Sequence, residues 1–129
     1  GQEGAARCRA ALPDPAAKAA AWAAMFDSDD LSNYLFTATA LGFWQPEQAE
    51  LLREYVDRFY DAAIALGDRR GPAMAEAAGR QAFPAYAVDA ASLAVGEARL
   101  ADGTMLPALH RKLVDQLDDL ARALRVREG

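Results

Sequence analysis

One histidine, His110, and one cysteine, Cys8, occur in 129 residues. A zinc site takes three or four His, Cys or carboxylate ligands. A nucleophilic site needs a nucleophile and a base in register. So few reactive side chains remove most of that chemistry. The remaining candidates are carboxylates and aromatics. Asp27, Ser28, Asp29 and Asp30 place three carboxylates within four residues. A calcium loop requires alternating ligands, a glycine and a distal glutamate, and that pattern is absent. The run instead fits capping and dipole stabilisation of a helix starting at Leu31. Asp115 and Asp119 are four apart and share a helical face. With Arg111, Lys112 and Arg122 nearby they read as a solvated surface. Asp118 and Arg122 have the spacing of an ion pair worth about 0.3–0.5 kcal/mol. His110 falls in the first turn or so of the last helix, as a surface or groove-lining residue. Cys8, between Arg7 and Arg9, reads as a free thiol. Arg69 and Arg70 read as a solvated turn, with a carboxylate contact as the alternative.

The aromatic set Tyr34, Phe36, Phe43 and Trp44 is the candidate contact surface. Tyr34 and Leu35 are expected to flank a buried face, with Phe36 pointing away from it. An outward Phe36 beside Trp44 would mark a partner or domain interface; packing in the core is the competing assignment.

The elements that would carry these residues are helices. There are 32 alanines and 15 leucines, against one isoleucine and five valines. Alanine and leucine favour helix, and scarce β-branched residues disfavour a sheet. Proline is suited to the first helical position and glycine to the position just past the end. Asp14-Pro15 opens a helix through Phe26, whose buried face is expected at Ala19, Trp22, Ala23 and Phe26. A second covers 31–41 and stops at Gly42. Gln45-Pro46 starts the longest central helix, ending at Gly67, with the apolar stripe Leu52, Val56, Phe59, Ala63 and Leu66. Residues 68–71 form a loop. Helices are expected over 72–83, broken at Pro84, and over 86–100. Pro107 opens the last, with Leu109, Leu113, Leu117, Leu120 and Leu124 along its edge. Residues 5–11 add the end of one more helix. The expected fold is all-α, with six to seven antiparallel helices joined by short loops, compatible with a degenerate stack of helical hairpins.

Hydrophobic residues make up 53% of the chain and the net charge is −5. The length suits one domain spanning 1–129. The acidic balance disfavours nucleic acid, and no apolar run reaches 18 residues, which disfavours a membrane span. No secretory signal is recognisable, and a lone cysteine fits a cytoplasmic location. Twelve arginines against two lysines, with so much alanine, suggest a GC-rich genome. Beginning at Gly1, the chain is expected to be a piece of something longer.

Three segments occur in order: LPDPAAKAAAWAAMF (12–26), LSNYLFTATALGFWQPEQAELLREYVDRFYDAA (31–63) and PALHRKLVDQLDDLARALRVRE (107–128). Together they resemble the end of aminopeptidase N-type zinc metallopeptidases, especially the actinobacterial kind, over nearly the whole chain. The resemblance implies an all-helical, HEAT-like C-terminal domain similar to that of endoplasmic-reticulum aminopeptidases, a right-handed α-α superhelix. Such a domain forms a bowl over the catalytic domain and bounds the substrate chamber. In that family zinc sits on an H-E-x-x-H helix with a distal glutamate, and specificity comes from a G-x-M-E-N segment. Neither motif occurs here. The resemblance therefore implies a lid without catalytic, cofactor or metal residues, zinc in the parent's catalytic domain, and that domain and a peptide substrate as partners. Arginines and aromatics on its inner surface would meet the distal part of the peptide. Two rivals stand beside it. A small-ligand-binding regulatory domain calls for a large enclosed apolar pocket and a two-fold helical interface. A free-standing helical interaction scaffold calls for a reading frame starting near Gly1.

Overall fold

Proline and acidic caps set most of the helix starts in the computed structural model, which describes residues 1–129. The helices are α1 (Gln2–Ala11), α2 (Pro15–Phe26), α3 (Asn33–Phe43), α4 (Ala49–Arg70), α5 (Pro72–Gln81), α6 (Ala90–Ala101) and α7 (Pro107–Glu128), with a 3-10 turn at Pro46–Gln48 before α4. The fold is all-α, as the composition indicates. Pro15, Pro72 and Pro107 each occupy the first turn of a helix. The Asp14 carboxylate accepts from the Ala17 amide at 2.9 Å, satisfying one of the amide groups that open α2.

The helices form two rows. In one row α1 packs on α3, α3 on α5 and α5 on α7; in the other, α2 packs on α1 and α3, α4 on α5 and α6 on α7. The core between them contains Trp22, Phe36, Phe43, Leu52, Phe59, Leu66, Leu109 and Leu113. Of the stripe expected on α4, Leu52, Phe59, Ala63 and Leu66 are buried and Val56 is half-buried. On α7, Leu109, Leu113, Leu117 and Leu120 are buried and Leu124 is half-buried.

Four boundaries differ from expectation. The acidic run does not cap α3; that helix begins at Asn33, where the Ser32 hydroxyl accepts from the Leu35 amide at 3.2 Å. Asp27 is instead the residue that ends α2. Gly42 does not end α3. It lies inside the last turn, and an added Cβ would sit 2.1 Å from the Arg7 carbonyl oxygen of α1. The glycine permits backbone contact between two helices. Residues 68–70 continue α4, and Gly71, with φ of 95°, stops it. Finally, α6 starts at Ala90 and not near Tyr86. Turn hydrogen bonds occupy 83–89, and the Asp89 carboxylate accepts from the Ser92 amide at 2.7 Å.

Candidate functional site

Buried polar groups, rather than a reactive cluster, organise the interior. Lys18 is fully buried on α2. Its Nζ donates to the Ala10 carbonyl at 2.6 Å and the Phe43 carbonyl at 2.9 Å, and lies 5.1 Å from the Phe43 ring centroid. Ala10 and Phe43 belong to the last turns of α1 and α3. Helix C-termini carry partial negative charge and unmatched carbonyls, so one ammonium neutralises two of them. Burial pulls the Lys18 pKa below the ordinary lysine range, with the Glu47 carboxylate acting in the opposite direction. The buried face of α2 is therefore rotated from the expected one: Lys18, Ala21 and Met25 are buried with Trp22 and Phe26, Ala19 is exposed and Ala23 half-buried.

Arg69 and Arg70 are not a free turn. Arg69 Nη2 donates to the Phe26 carbonyl at 2.8 Å, and Nε pairs with Asp29 at 2.8 Å. Arg70 Nη1 donates to the Leu31 carbonyl at 2.8 Å. The acidic run thus lies in a connection held by two arginines, with Ser28 donating to Asp30 at 2.5 Å. Replacing both arginines with alanine is expected to lower stability by about 1–2 kcal/mol, chiefly through the lost carbonyl contacts, because an exposed ion pair adds little. Urea unfolding would measure this. An unchanged midpoint would mean that the connection holds itself.

The four aromatics separate. Phe36 and Phe43 are fully buried, so the expected outward Phe36 is corrected. Phe36 meets Phe26 edge-on at 5.8 Å between centroids. Trp44 is half-buried; its Nε1 donates to the Ala82 carbonyl at 2.8 Å, joining the end of α3 to the end of α5. Tyr34 points outward, 77% exposed, between shallow clefts toward α1 and α5. Of the set, only Tyr34 presents most of its ring to solvent.

The other singled-out residues are dispersed. His110 is half-buried in the first turn of α7, and Cys8 is exposed on α1. Asp115, Asp118 and Asp119 are exposed, and Arg122 pairs with Asp119 three residues back, not with Asp118. No three His, Cys, Asp or Glu side chains come together as a metal site. No helix is long and apolar enough to cross a membrane.

One apolar groove has no counterpart among the candidate sites that the sequence pattern singles out. It lies among α4, α6, α7 and the 83–89 turn, holds about 150 Å³ and is open along one side, with Val56, Tyr60, Phe83, Val95 and Leu120 as walls and Asp57 on its lining. Burial pushes the Tyr60 phenol up to about 12 despite the Arg99 guanidinium. Gly96 lets α6 approach, because an added Cβ there would lie 2.5 Å from the Tyr60 hydroxyl. Val56 and Tyr60, four apart on α4, were a signal in the sequence; the turn that completes the groove was not.

The model of the ERAP1-like C-terminal domain family matches residues 1–122. The chain belongs to that family. Aminopeptidase N of Streptomyces lividans is 36% identical over 125 residues, a match covering 97% of this chain. The chain spans only 15% of that relative's length. As an ERAP1-like C-terminal domain, the chain has an all-helical architecture consistent with the two rows of helices described above.

Proposed function

We propose that this ERAP1-like C-terminal domain is a non-catalytic, HEAT-like part of a zinc-dependent aminopeptidase, a lid that bounds the chamber in which peptides lose their N-terminal residues. One observation carries the reading: similarity to an aminopeptidase N over 97% of this chain but only 15% of the relative. Two packed rows of helices supply the stiffness of a wall. The chain offers no set of converging ligands for zinc, so the reading places the metal, and the water it would activate, in the rest of the parent. The exposed Cys8 thiol fits a cytoplasmic setting. Tyr34 and the arginines near it are candidates for the surface facing the peptide.

The rival small-ligand reading is weaker. A ligand pocket usually encloses about 300–1,000 Å³, whereas the apolar groove holds about 150 Å³ and is open. The test is kinetic. Removing the segment from Leu12 onward from the parent should change how its rate depends on peptide length. The isolated chain should release no chromogenic amine from an aminoacyl substrate. Turnover by the pure chain, or an unaltered length profile after truncation, would count against the reading.

A further inference from the structure

We infer that the groove between α4 and α6 binds a small organic ammonium whose apolar body is about the size of one aromatic ring. This site is independent of the peptidase reading. The groove holds about 150 Å³, and an apolar cavity of about that volume takes one benzene-sized group. It is too small for the ligand of a regulatory domain, but a single ring fits. Its walls are apolar: Val56 comes from α4, Phe83 and Pro84 from the turn, Val95 from α6 and Leu120 from α7. Of α6 only Gly96 is buried, so the α4–α6 side stays open.

Charge selects the ligand. Asp57 is the only charged residue on the lining and forms no ion pair. Two nearby arginines are committed elsewhere. Arg58 lies over the Trp22 and Tyr55 rings, 5.3 and 5.2 Å from their centroids. Arg99 pairs at 2.7 Å with Asp61, one turn further along α4. Arg53, one turn back, does not pair with Asp57. The Tyr60 phenol, held up to about 12 by burial, stays neutral, so it adds a hydrogen-bonding oxygen and no second anion. The Ser92 hydroxyl is a third oxygen on the lining; the Ser92 amide is the group that Asp89 engages, at 2.7 Å. An ammonium offers three N–H donors, and its bond to a carboxylate is charge-assisted. A few placed polar groups around apolar walls are the usual make-up of a small-molecule site. A metal ion does not fit, because no three ligating side chains converge.

The probe is phenethylammonium, titrated at neutral pH into the 129-residue chain with labelled valine and leucine methyl groups. Saturable shifts are expected at Val56, Val95 and Leu120, with a dissociation constant on the order of 1 mM, in the range for so small a ligand. Phenethyl alcohol, the same body without the charge, should bind at least about fivefold weaker. Asp57→Asn, at an exposed position, should remove that difference and leave the melting temperature unchanged. Val95→Phe, at a residue 52% exposed, puts a ring into the groove and should abolish the shifts. Butylammonium, the chemistry of a lysine side chain, should bind more weakly than the aryl amine. Equal or tighter binding would assign the groove to a basic side chain of a protein partner and overturn the proposal. So would equal binding of amine and alcohol, undiminished affinity in either variant, or no saturation at about ten times the expected constant. Groove methyl signals that move with protein concentration alone would assign the surface to a second copy and overturn it too. The titration reads no peptide cleavage, so its failure leaves the peptidase reading standing, and an inactive parent leaves the groove's ligand standing.

Discussion

Replacing Lys18 with alanine is expected to destabilise the protein by about 3–5 kcal/mol, the upper part of the range for truncating a buried long side chain to alanine. Two further effects act in the same direction. The Ala10 and Phe43 carbonyls lose donors at 2.6 and 2.9 Å. An unsatisfied buried group costs about 1–3 kcal/mol. Lys18→Met keeps most of the volume and relieves the buried charge, so its loss should be smaller, about 2 kcal/mol. Thermal unfolding would read the alanine variant as a fall of roughly 10–15 °C for a chain of this length. A fall of only a degree or two would mean that water replaces the ammonium.

The same residue shapes the pH dependence. Its folded-state pKa is lowered from 10.5 by burial, with Glu47 opposing. Well below that lowered value the group is charged in both states and adds no slope. Between it and 10.5 the unfolded chain binds more protons, so this contribution to stability rises with pH. Lys18→Met should lack the rise. Tyr60 acts oppositely: its folded pKa of about 12 exceeds the ordinary 10.0, so its contribution declines as pH climbs through that window.

Gly42→Ala is the second large effect. The new methyl would stand 2.1 Å from the Arg7 carbonyl oxygen and 2.9 Å from its carbon. Both are backbone atoms, so no side chain can rotate away, and α1 must separate from α3. Overpacking usually costs about 1–3 kcal/mol; against helix backbone we expect at least the upper end. Amide exchange should accelerate across α1 before the rest of the molecule. Gly96→Ala makes a useful contrast, since it meets the ends of the Leu117 and Tyr60 side chains. Leu117 can shift, and the loss should be smaller. Equal destabilisation by both substitutions would show that the α1–α3 backbone contact yields as readily as the side chains around Gly96.

The helical architecture was legible because its signals are local. Asp14 and Pro15 start α2 wherever α2 packs. The leucines of α7 and the apolar residues of α4 recur at a helical period, so each helix declares a buried side. The faces of α2 and α3 were less legible because both helices are apolar nearly all round. In α2, alanines offer several equivalent faces, and a lone lysine among them reads as solvent-facing. The sequence pattern points Phe36 outward for the same reason, as one apolar residue among many on α3.

What the sequence determined by itself was the set of helices, most of their starts, and a resemblance to the end of an aminopeptidase. Those depend on neighbours a few residues apart and on the order of whole segments. The packing of helix on helix settles that Lys18 spans two helix ends, that Gly42 marks a backbone contact, and that Arg69 and Arg70 hold the connection after α2. Lys18 meets Phe43 across 25 residues, and Arg69 meets Phe26 across 43. Such partners are fixed by how helices stack, and helical periodicity says which side of a helix is buried but not which carbonyl will face it.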